Sequence, residues 1–255
     1  MQNLVPASAD ARGAGQMFAG FDPTGQEVFV GVNLDRIGPA EFAQIKGKLK
    51  GVQDRVLYDS IRCKAATSWS PKKVQLFQSP LNQPAGMFNS PTDTYSKSYT
   101  DTNLEGNGGS LPKGQNMVVQ SIQVNITAPA SLNTANLANG STINPARSTD
   151  ASIENTLCAI QNSLYLRFIR DRQILEEGLV KDFPSEFGVS GYAGVTQTGV
   201  VNNGLGRPRY LSRVRRLEEL QPFYIELELV NTITTPPQEF LVQVALVGTL
   251  YTPVA

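Results

Sequence analysis

Residues 223–229, Phe-Tyr-Ile-Glu-Leu-Glu-Leu, put Phe223, Ile225, Leu227 and Leu229 on one side of a period of two and Tyr224, Glu226 and Glu228 on the other. Such alternation marks a strand with one face in a core and one in water, because successive side chains of an extended chain point to opposite faces. From Phe240 the pattern repeats with Val242, Val244 and Leu246, yet the other face, Leu241, Gln243 and Ala245, is mostly apolar too. A strand apolar on both faces fits the middle of a sheet or an interface better than an exposed edge.

Outward from these two runs the same grammar recurs. Leu164, Leu166 and Phe168 alternate with Tyr165, Arg167 and Ile169, while Val118, Ile122, Val124 and Ile126 alternate with Val119, Ser121, Gln123 and Asn125. Val74 and Leu76 begin the series, and weaker runs near 173–175, 191–198 and 210–214 bring the total to about eight strands, a number that suits a sandwich or jelly roll. Between Trp69 and Tyr251 no helical period of useful length is present. The expected fold is therefore all-β, a jelly-roll β-sandwich with a single roll favoured and a compact double roll possible. Val124, Phe168, Leu227 and Val244 are predicted to face the core. Segments 79–115 and 127–156 read as long polar loops, a kind that is usually functional or mobile.

The N-terminal quarter differs. Residues 1–20 are rich in Ala, Gly and small polar residues, as in an extended arm. A short β-prone run follows at 26–32, and Pro39 sits where a first helical residue belongs. Phe42, Ile45, Leu49, Val52 and Val56 then recur at spacings of three and four and predict a helix, the one helix expected of the chain. Gly47 and Gly51 would each weaken it by about 1 kcal/mol relative to Ala. The predicted organisation is an arm, short strand and helix over 1–64 and the jelly-roll domain over 65–255.

The 255 residues suit one domain of ordinary core size, with or without an appendage, and 22 basic residues balance 22 acidic ones. Histidine is absent, which removes His general bases, Ser-His-Asp and Cys-His nucleophile systems and His-containing zinc sites. The composition thus argues against an enzyme. Cys63 and Cys158 form no C-x-x-C pair, and the chain's start lacks a basic then apolar leader, so a chain made in the cytoplasm is expected.

Four groups could carry chemistry. The glycine-rich stretch 106–114 could turn N–H groups onto an anion, but it lacks the G-x-x-x-x-G-K-[ST] spacing and a following helix, so a flexible turn is the simpler reading. Asp171, Glu176, Glu177, Asp182 and Glu186 could supply oxygen ligands to a calcium ion, though beside Arg167, Arg170 and Arg172 they read more simply as an ion-pair surface. Tyr95, Tyr99, Tyr165, Tyr192 and Tyr210 read as half-buried packing residues before a stacking platform. Arg207, Arg209, Arg213, Arg215 and Arg216 form a dense cluster just before Glu218 and Glu219. Guanidinium forks bind phosphate, so nucleic acid is one reading, but the adjacent acids favour pairing across a subunit interface. No cofactor, metal ion or small-molecule substrate is implied.

The stretches K-K-V-Q-L-F-Q-S-P (72–80), T-D-T-N-L-E-G-N-G-G-S-L-P-K-G (100–114), V-V-Q-S-I-Q-V-N-I (118–126) and N-S-L-Y-L-R-F-I (162–169) resemble jelly-roll major capsid proteins of tailless icosahedral bacteriophages. G-R-P-R-Y-L (206–211), Q-P-F-Y-I-E-L-E-L (221–229) and F-L-V-Q-V-A-L-V-G-T-L-Y (240–251) continue the likeness. The resemblance implies a virion shell protein that assembles into capsomers. Its implied partners are copies of itself, other virion proteins and, through the N-terminal region, a packaged genome or internal membrane. A receptor- or glycan-binding virion spike is the alternative, resting on the long loops and the tyrosines. A His-free hydrolase would require carboxylates converging in a deep pocket.

Overall fold

The structure, a computed structural model, describes residues 18–21, 27–30, 37–46, 51–64, 68–90, 92–106, 108–127, 151–185, 191–193, 198–200, 209–234 and 240–251. Within them the chain is all-β. Its main strands are β1 (Gln53–Cys63), β2 (Lys72–Leu76), β3 (Asn116–Thr127), β4 (Leu164–Arg170), β5 (Gln173–Leu179), β6 (Tyr210–Leu217), β7 (Phe223–Leu229) and β8 (Phe240–Tyr251). They form two four-stranded antiparallel sheets, ordered β6-β3-β8-β1 and β5-β4-β7-β2. The pairing is nested: β1 pairs with β8, β2 with β7, β3 with β6 and β4 with β5.

The alternations in the sequence point into the space between the sheets. Val124, Phe168, Leu227 and Val244, predicted core residues, are 5%, 0%, 0% and 0% exposed. They belong to one cluster with Leu57, Ile61, Ile122, Leu166 and Ile225. Strand β8 lies between β3 and β1, in the middle of its sheet as its pattern predicted; Val242, Val244 and Leu246 are buried, and Leu241, Gln243, Ala245 and Val247 on the other face are half-buried.

The predicted long helix is a correction. Helix α1 spans only Pro39–Lys46, begun by Pro39 and capped by the Glu41 carboxylate, which accepts the Gly38 N–H at 3.0 Å. Gly51 then takes a left-handed φ of +62° and the chain enters β1. Val52 and Val56 therefore leave the helical stripe, and Val56 is exposed. Strand β1 pairs with β8 from Cys63↔Phe240 to Gln53↔Leu250, and that ladder outweighs the local helical spacing. It lies on the N-terminal side of the predicted boundary at 64/65, so the 1–64 segment contributes a strand to the sandwich. A two-stranded ribbon joins Phe18–Phe21, which begins inside the predicted arm and ends one residue past it, to Glu27–Val30; residues 1–17 lie outside the described residues.

A second helix, α2 (Ala151–Ser163), corrects both the one-helix expectation and the predicted loop 127–156, of which 128–150 lie outside the described residues. Ile160 is buried in the core, and Leu157 and Ala159 pack against it. The weak run at 191–198 contributes to a separate ribbon, Gly191–Ala193 with Thr198–Val200, instead of a sandwich strand. Nor is 79–115 an open loop. Pro84–Gly86 pairs with Thr94–Ser96, and residues beyond them lie along β1.

The predicted phase of β3 fails at one point. Ser121 faces Val247 and Val119 faces Gly248, so Gln120 is an extra residue, a bulge. Beyond it the faces swap: Met117 and Val119 enter the core, while Val118 turns outward to pack with Ile37, Phe42, Val214 and Tyr251 beneath α1. Gly248 makes room for this, since a Cβ there would lie 2.0 Å from the Val118 carbonyl oxygen. Gly248→Ala is expected to cost at least about 1–3 kcal/mol, as overpacking does. A denaturant midpoint equal to that of the unaltered protein would show that the bulge yields instead.

Candidate functional site

The structure divides the arginine cluster. Arg207 lies outside the described residues. Between Tyr210↔Ser121 and Arg215↔Val119 strand β6 arches away from β3, and the Val214 N–H donates to the Ile37 carbonyl at 2.9 Å. On the core side of the arch Arg215 meets the Glu176 carboxylate at 2.8 Å, tying β6 to β5, the edge strands of the two sheets. Arg216 reaches Glu218 at 3.4 Å, and Arg170 donates to the Arg216 carbonyl at 2.5 Å. Glu219 instead accepts the Gly114 N–H. Arg209 lies 5.5 Å from the Phe183 ring centre and donates to the Asp182 carbonyl at 3.4 Å. Arg209 and Arg213 are exposed, and Tyr210 between them is 60% exposed. Arg215 and Arg216 thus brace the fold from within, while Arg209, leaning on Phe183, is exposed together with Tyr210 and Arg213.

The other candidate groups separate as well, each acid taking a different partner. Glu177 pairs with Arg167 at 3.6 Å, Asp182 accepts the Leu179 N–H at 3.2 Å, and Asp171 accepts from Gln221 in a left-handed turn. Glu186 lies outside the described residues. Among the described residues no group of acids and cysteines could hold a metal ion. In the glycine-rich turn, Gly109 donates to the Phe77 carbonyl at 2.6 Å and Gly114 to the Glu219 carboxylate, so these two N–H groups are taken by the protein's own acceptors. Arg62 lies 4.7 Å from the Tyr95 ring centre and Arg167 5.0 Å from that of Tyr165; Tyr99 is exposed, and the Tyr192 side chain lies outside the described residues.

On the outward face of the second sheet a charge ladder crosses all four strands. Arg167 on β4 meets Glu226 at 2.7 Å and Glu228 at 2.5 Å on β7, and Lys73 on β2 reaches both at 3.3 Å. Glu177 on β5 completes the ladder. Arg167 and Lys73 hold the Glu228 carboxyl below the usual carboxylate range. Solvent-facing surface pairs contribute about 0–1 kcal/mol each.

A more deeply buried network, unforeseen in the sequence, joins β1 to the excursion at 77–104. Asp59 and Lys97, 0% and 4% exposed in their side chains, pair at 2.5 Å. Asp59 Oδ2 also accepts the Phe77 N–H at 2.5 Å. Burial pushes the Asp59 carboxyl up despite these partners. Burial acts the same way on Asp101, but Arg62 at 3.1 Å and the Ser98 N–H at 3.0 Å outweigh it and hold that carboxyl down. Beside them Asn103 stands in for a neighbouring strand. Its N–H donates to the Tyr58 carbonyl at 3.2 Å, its side-chain oxygen accepts the Tyr58 N–H at 2.8 Å, and its amide nitrogen donates to the Val56 carbonyl at 2.7 Å. The open edge of β1 is covered in this way, which guards a sheet against pairing with other chains. Reading 42–56 as one helix hid the strand carrying Asp59, and no local pattern marks a partner 38 residues away.

Comparison with known protein families, curated proteins and solved structures finds no match to this chain.

Proposed function

We propose that this chain is a structural shell protein, a single jelly roll whose copies assemble into capsomers of an icosahedral virion capsid. The nested pairing of eight strands carries the reading. Followed from β1 to β8, the chain visits the first sheet, the second, the first, the second twice, the first, the second and the first. That is the path of a ribbon folded in half and wrapped into two sheets, as in viral shell domains. From fold to shell the step is one of analogy. Supporting it, the described charged clusters largely brace the sandwich, and the Arg209, Tyr210 and Arg213 row is left facing outward. The spike alternative has less support, because the 79–115 segment is packed against β1 instead of standing free.

Electron microscopy and light scattering of the purified chain test this. Capsomers or closed shells are expected, and a protein that stays monomeric at high concentration overturns the reading. Arg213→Glu separates contact from folding. Its stability should stay within about 0.5 kcal/mol of the unaltered protein, as for surface substitutions, while assembly without nucleic acid fails. Normal empty-shell assembly by this variant would remove Arg213 from the subunit contact. Arg215→Glu is the wrong probe, because it sets a second carboxylate against Glu176 inside the subunit.

A further inference from the structure

Of the ion pairs among the described residues, Lys97 with Asp59 is the most deeply buried. Withdrawing two such charges from water costs several kcal/mol per ion, which a pair recovers only with good geometry. The same surroundings hold a primary amine against a carboxyl group with water excluded, the circumstance in which an intramolecular reaction gains its large effective concentration. The two oxygens of Asp59 are placed differently. Oδ1 faces Lys97 Nζ, and Oδ2 accepts the Phe77 N–H, while the Thr102 hydroxyl donates to the Tyr58 carbonyl at 3.1 Å. Asp101 is held by Arg62 and Ser98, and the Tyr95 hydroxyl donates to the Ser60 carbonyl at 3.3 Å, so each of these neighbours has its own partner.

We propose that Lys97 and Asp59 condense into a side-chain amide that cross-links β1 to the excursion covering its edge. A proton first passes from the ammonium to the carboxylate, leaving an amine and an acid. The nitrogen lone pair attacks Cγ, and negative charge gathers on Oδ2, where the Phe77 N–H stabilises it as an oxyanion-hole donor does. The Cγ–Oδ1 bond breaks, and Oδ1 departs as water carrying the acid proton and one from nitrogen. Oδ2 remains as the amide carbonyl and keeps the Phe77 N–H. No oxidant or cofactor is needed, since the only by-product is one water. Burial, which raises Asp59, favours the acid form that the step requires. The product exchanges two buried charges for one neutral, hydrogen-bonded group and fixes the edge cover covalently. This inference is independent of the shell reading.

Intact-mass measurement of the full chain under denaturing conditions tests it. The expected mass is one water below that of the sequence, and tryptic digestion should yield a peptide carrying residue 59 linked to one carrying residue 97. Lys97→Arg, whose guanidinium does not condense with a carboxyl group, should return to its full sequence mass. The full mass in the unaltered protein, the absence of the linked peptide, or a missing water that persists in Lys97→Arg would each overturn the proposal.

Discussion

Replacing Lys97 with Met should destabilise the subunit by about 3–5 kcal/mol at neutral pH, the usual cost of leaving one member of a buried pair without its partner. The methionine fills most of the space of the lysine stem, so the loss reflects the carboxylate of Asp59, fully buried and deprived of its counter-charge. Adding Asp59→Asn to that background should recover most of the loss, because the amide carries no charge yet still accepts the Phe77 N–H. Urea unfolding of the two variants beside the unaltered protein measures both effects. The pH dependence has a definite sign. In Lys97→Met, which cannot form the amide, Asp59 stays a carboxyl that burial raises in the folded state, so its contribution is fully present below the unfolded carboxylate range and is lost as pH rises through its folded value. The Lys97→Met deficit should therefore shrink on acidification. Asp101 is lowered and acts oppositely: its contribution is present above the ordinary carboxylate range and fades as pH falls through its folded value. A deficit in Lys97→Met below about 1 kcal/mol would show that water reaches Asp59.

Phe168→Ala should cost a similar amount, about 3–5 kcal/mol, the range for a large side chain removed from a core that cannot collapse around the gap. Phe168 stands on β4, in register with Ile225 on β7 and Glu176 on β5, and is fully buried. It sits in the layer between two hydrogen-bonded sheets, and the pairing of β4 on both sides limits how far the backbone can move to fill the space. The denaturant midpoint should fall with the slope of the transition unchanged, since the area exposed on unfolding is nearly the same. Resistance to the truncation would show a core loose enough to repack.

The strand phases of Phe168, Leu227 and Val244 were legible because alternation in a half-buried strand is a local property, set by the geometry of the extended chain. So was the central place of β8, since a strand apolar on both faces is poorly placed at an open sheet edge, where it would invite pairing with other chains. Elsewhere local spacing misled. Phe42 to Val56 keeps a helical period, yet the ladder of β1 on β8 takes its last residues, from Gln53, into a strand. The bulge at Gln120 reverses the faces of Val118 and Val119, a shift visible only where the partner strand shows which residue has no opposite number. The arginine cluster was legible as composition but not as a set of contacts. Arg215 finds Glu176 on another strand, while Arg213, two positions away on the same strand, faces outward.

Residue type and short-range periodicity were enough for the all-β class, the core-facing positions of the regular strands and the lack of any histidine for catalysis, since each can be read within a few neighbouring residues. Which strands pair, where α1 stops, how the arginines divide and that Asp59 meets Lys97 came only with the assembled sandwich. Those outcomes depend on contacts between residues distant along the chain, whose energies compete with local preferences and leave no periodic trace in the residues that make them.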